Sequence, residues 1–165
     1  MNSVEVSAAL AELFTELVAG TGDSGGPFIL NTGDIGLLRA IDRLTARDAS
    51  SSANDGATIA AHVQHLRFGL SLMNRWATEG GDPFADPKWD EAWKITTVDD
   101  EQWTEIRGGL REQALRWLQV LEAPRQLSSA ELNGMIGSIA QVAYHLGAIR
   151  QISKAARGPR GGTFK

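Results

Sequence analysis

Apolar residues recur at intervals of three and four through most of the chain and nowhere alternate in twos, a pattern that predicts helices and no strands. Val6, Leu10, Leu13, Phe14, Leu17 and Val18 predict a first helix over 4–18, with Gly20 at its end. After a glycine-rich connector, Ile35, Leu38, Ile41 and Leu44 predict a short helix over 35–47. The polar run DASSSANDG then reads as a loop, with Asp55 as N-cap of the next helix. That helix, over 57–78, carries Ile59, His62, Leu66, Gly69, Met73 and Trp76 along one seam. Residues 82–98 hold Pro83, Pro87, Trp89 and Trp93 and read as an irregular crossover anchored by its aromatics.

The next helix start is the clearest local signal. Asp99 and Gln102 make a capping box, Val98 and Trp103 a hydrophobic staple, and Pro124 closes the helix. Ser128 and Glu131 form a second capping box opening a last helix to residue 156. Its predicted buried face includes Leu132, Met135, Ile136, Ile139, Val142, Leu146 and Ile149. The expected architecture is all-α: an up-and-down four-helix bundle with an additional short helix and one long crossover. Gly134, Gly137 and Gly147 would each cost the last helix roughly 1 kcal/mol against alanine, so close backbone approach to a neighbour or a pocket is expected there.

The chain has 165 residues, 42% of them apolar and 22% charged, which suits one domain over 1–156 with a basic, glycine-rich tail over 157–165. The net charge of −4 speaks against nucleic acid as a partner. No run approaches the roughly 20 apolar residues of a membrane span, and the first residues lack a signal peptide's pattern, so a cytoplasmic protein is expected. The absence of cysteine removes disulfides, thiolate zinc sites and cysteine nucleophiles.

Residues 22–27 spell GDSGGP, the surroundings of the nucleophilic serine in chymotrypsin-like proteases. Those enzymes are β-barrels whose histidine and aspartate precede the serine, whereas Ser24 precedes every histidine here. Without its scaffold the motif is an ordinary flexible loop.

The chemistry lies in the three histidines. His62 and His65 stand one turn apart on one helix, and His145 follows Gln141 by four residues on another, all among apolar neighbours. Facing helices lie about 8–10 Å apart, so these side chains can converge on one metal ion or make a buried polar contact. Zinc favours neutral imidazole and a catalytic site takes three protein ligands, so Gln141, a neutral amide, would be a weak third ligand, with His62 as substitute.

The stretches TIAAHVQHLRFGLSLMNRW and SIAQVAYHLGAIRQI resemble the DinB-like (YfiT-like) four-helix-bundle proteins, as does GDIGLLRAIDRL before them. The resemblance implies a divalent metal (zinc, nickel or manganese) held by His65 and His145, with Gln141 where the family has a histidine. It further implies a thiol-dependent S-transferase or hydrolase activity, and homodimers. The alternatives are a metal-free protein binding a small molecule in a histidine-lined cleft, and a structural dimer in which the histidines only fill the core.

Overall fold

A computed structural model describes residues 2–22, 26–85 and 87–160. The described residues are helical, with no strand. Six α-helices run in order: α1 (Ser3–Ala19), α2 (Gly36–Asp42), α3 (Ala46–Ala49), α4 (Ile59–Glu79), α5 (Asp100–Glu122) and α6 (Ser129–Ile152), with 3₁₀ turns at Ala92–Lys94 and Lys154–Ala156. Residues 23–25 of the GDSGGP motif and the tail end 161–165 lie outside the described residues. No described helix is long and apolar enough to cross a membrane.

Both expected capping boxes form. The Asp99 carboxylate accepts from Gln102 N at 2.8 Å, and the Ser128 hydroxyl from Glu131 N at 3.2 Å, each with the reciprocal bond. One expected start is corrected. Asn54 and Asp55 both have left-handed backbones, φ 52° and 55°, so Asp55 lacks the extended conformation an N-cap needs. Thr58 caps α4 instead, accepting from Ala61 N, and its hydroxyl donates to Ile95 O at 2.7 Å. The crossover is thereby tied to the first turn of the histidine helix.

The single short helix over 35–47 is two helices. The chain leaves α2 at Arg43, and Thr45 starts α3 through its own capping box with Asp48, a local competitor that the apolar spacing concealed. The last helix ends at Ile152, and Ser153 begins a 3₁₀ turn.

The four long helices share one core. α1 packs against α5 and α6, and α4 packs against the same two. Phe14, Leu17, Ile59, Leu110, Trp117 and Leu146 are among its fully buried side chains. Indole N–H groups inside it are satisfied: Trp117 Nε1 donates to Ser138 Oγ at 2.8 Å and Trp103 Nε1 to Leu44 O at 2.9 Å. Ile136, expected on the buried face, is 50% exposed, because the stripe through Met135, Ile139 and Val142 turns it outward.

The connector between α1 and α2 is held from both sides. Glu16, buried on α1, accepts N–H groups from Phe28, Ile29 and Leu30. Burial pushes its pKa up, but these three bonds outweigh it and hold the carboxyl below the usual range. Gly20 and Gly36 interlock with φ of 97° and 72°; a Cβ on Gly20 would strike Asp34 O, and one on Gly36 the Gly20 nitrogen.

Candidate functional site

α4 presents His62 and His65 on one side of the interior and α6 presents His145 opposite them. His145 is 2% exposed, whereas the other two are half-buried. The rings converge: the His145 centroid lies 5.2 Å from that of His62 and 5.0 Å from that of His65. His62 Nδ1 and His145 Nδ1 are 2.9 Å apart, and His145 Nε2 lies 3.1 Å from Gln141 Oε1.

The amide oxygen assigned to Gln141 can only accept, which sets the protons in this chain. His145 carries its proton on Nε2 and donates to Gln141. His145 Nδ1 then accepts from His62 Nδ1–H, leaving a lone pair on His62 Nε2. His65 stands beside this chain rather than in it. Its Nδ1 is buried without a hydrogen-bond partner among the described residues. Orphaned buried N–H groups are the rarer kind, so we assign the His65 proton to Nε2, the nitrogen that is not enclosed.

All three imidazoles are held neutral. Burial is the main cause for His145, with the neighbouring His65 and His62 adding to it, and together they lower its pKa to about 4. Burial likewise lowers His62, helped by His65, and burial alone lowers His65.

Two tryptophans from the crossover cover the histidines. Trp93 stacks on His65 with centroids 4.4 Å apart and meets His62 edge-on at 5.6 Å, and Trp89 lies 5.5 Å from His65. The sequence assigned these residues to anchoring the crossover; that they anchor it on the imidazoles was not legible. The missed signal is the crossover's position directly after the histidine helix, with two aromatics one helical turn apart.

Beside His65 a cavity of about 300 Å³ lies between α4 and α6 under the crossover. Its walls are mostly apolar, with Met73, Phe84 and Trp89 among them, and Gln141, itself exposed, stands at its rim. Gly69, Gly134 and Gly137 also line it. A Cβ on Gly134 would meet the Trp76 ring at 3.1 Å, but one on Gly137 would touch none of the described residues within 4 Å. The expected close approach is therefore found at Gly134, while Gly137 contributes space. Gly147 has no neighbour among the described residues within 4 Å of a Cβ and does neither.

Of the expected ligand trio, His145 and Gln141 are bonded to each other, and His65 lies near His145 and lines the same cavity as Gln141, but the hydrogen-bond partner of His145 Nδ1 is His62. Among the described residues no group of three or more His, Asp or Glu side chains is disposed to hold a metal ion. The Gln141 oxygen, expected as a third ligand, is engaged by His145 instead. Tyr144 packs edge-on against His145 at 5.1 Å yet is 71% exposed, and Arg150 is turned to Asp34 at 2.7 Å, away from the histidines.

Comparison of the chain with protein-family models, with curated proteins and with solved structures gave no match.

Proposed function

We propose that this protein binds a small, mainly apolar molecule in the cavity beside His65, on an up-and-down four-helix bundle of the DinB-like kind without a resident metal. The observation that carries this is a cavity of about 300 Å³ with apolar walls and the His65 imidazole, its pKa lowered by burial, among them. Ligand pockets have this composition, a hydrocarbon lining with a few placed polar groups, and this size is at their lower end. The ring of packing contacts α1–α5–α4–α6 supports the bundle. In such a protein the hydrogen-bonded chain from His62 to Gln141 orients the polar end of the site, and the crossover tryptophans form its cover.

The test is calorimetric titration with naphthalene, a probe of suitable shape and no charge. Wild-type protein is expected to bind it at micromolar to sub-millimolar concentration. Gly137→Leu, which places a side chain where none of the described residues stands within 4 Å, is expected to lose at least tenfold in affinity while keeping its circular dichroism. Equal binding by both proteins would remove the cavity as the site.

A second reading, a divalent metal at the imidazoles, is favoured by one distance. Two ring nitrogens 2.9 Å apart, one ring already oriented through its other nitrogen, also suit neighbouring ligands of an ion. Metal analysis of untagged protein after incubation with zinc, nickel or manganese checks it. One equivalent, lost in both His62→Ala and His145→Ala, would favour the metal; less than about a tenth of an equivalent is the outcome expected here, because three-donor sites are what retain such ions.

A further inference from the structure

We infer that the molecule this cavity takes is a neutral one- or two-ring compound bearing an oxygen acceptor, such as an aryl ketone, held by N–H groups of His65 and Gln141. This presupposes the small-molecule cavity proposed above and adds the polarity of its occupant.

The polar groups at the cavity are sorted by what they already bond. Ser138 lines it, but its hydroxyl donates to Met135 O at 2.7 Å and accepts from Trp117 Nε1 at 2.8 Å, so its proton is committed. The Gln141 oxygen is committed to His145, which leaves the amide NH₂ with no partner among the described residues. His65 has its Nδ1 enclosed, and the tautomer that avoids a buried unpaired N–H puts the proton on Nε2, the nitrogen that is not enclosed. Both uncommitted groups at the cavity are therefore donors, and donors select an acceptor.

Charge follows from the same inventory. Among the described residues no Asp, Glu, Lys or Arg lines the cavity. A carboxylate or an ammonium would lose its hydration there with no counter-charge. A neutral carbonyl loses far less and gains two N–H donors, while its rings take the apolar wall of Met73, Phe84 and Trp89.

Three probes of nearly one shape separate these features: naphthalene, 2-acetylnaphthalene and naphthalene-2-carboxylate, titrated calorimetrically into the full chain at pH 7.5. The ketone is expected to bind about tenfold tighter than the hydrocarbon, as two modest hydrogen bonds allow, and the carboxylate more weakly than the ketone. In Gln141→Leu and in His65→Phe the preference for the ketone should fall to about twofold or less, with naphthalene binding kept. Gln141 is exposed, so its variant keeps the test standing if His65→Phe does not fold. Equal affinity of ketone and hydrocarbon for the wild type would overturn the acceptor inference and leave the cavity a binding site. Tightest binding of the carboxylate would overturn neutrality. Failure of all three probes to bind would overturn the small-molecule proposal itself, and this inference with it.

Discussion

At the scale of single residues, the decisive property is the neutrality of His145. An ordinary histidine titrates near pH 6.5, and burial among apolar side chains with two neighbouring imidazoles holds this one to about 4. In the unfolded chain the same ring takes a proton as pH falls through 6.5, and in the folded protein it does not. The unfolded state then binds more protons, so stability falls with falling pH across the window from 6.5 to 4 and is unaffected above it. His145 alone should cost the fold about 2 kcal/mol between pH 7 and pH 5. Urea denaturation at the two pH values measures this. His145→Gln should show a shallower loss, and an unchanged slope would mean the ring is not held neutral. Which residues were candidates was plain from the sequence: three histidines, each on an apolar face. Their pairing was not. His62 and His65 differ by about 60° around the helix axis, and only the docking of α6 decides that His145 Nδ1 meets the former.

Elements were legible to the degree that their signals are local. A capping box needs only four consecutive residues, and those at Asp99 and Ser128 appear where the spacing places them. Thr58 needed more, because its claim over Asp55 depends on two left-handed residues in the loop before it. The glycines of α6 show the same boundary. Their helix-propensity cost signals that space or close approach matters, yet Gly134 lies against the Trp76 ring, Gly137 borders the cavity and Gly147 borders none of the described residues within 4 Å. Those three outcomes depend on which neighbour α6 presents to each position. The crossover was legible as anchored but not as to what. Trp89 and Trp93 act through ring contacts with His65, which no periodicity encodes.

Across the whole molecule, a buried ion pair joins the connector before α2 to the end of α6. Arg150 near the end of α6 reaches Asp34 before α2 at 2.7 Å; the aspartate side chain is 1% exposed, and its Oδ1 also accepts from Gly36 N. Residues after α6 fold back over this pair: Arg157 Nε donates to Arg150 O, Asn31 Nδ2 donates to Pro159 O, and a Cβ on Gly158 would strike the Asp34 carboxylate. Removing the arginine would leave an enclosed carboxylate without its cation, which costs more than the pair contributes. Arg150→Met should therefore destabilise by about 3 kcal/mol or more, and Arg116→Met, which breaks an exposed pair with Glu112, by well under 1 kcal/mol. Similar melting temperatures for the two variants would show the Asp34 pair to be solvated. Helical class, most element boundaries and the three imidazoles were determined by the sequence alone, because periodicity, capping and residue type act over one or two turns. The His62–His145 bond, the cover of the site by Trp93, the cavity beside His65 and the Asp34–Arg150 pair were decided only in the tertiary structure, because each is a contact between elements whose relative rotation and depth no local interaction sets.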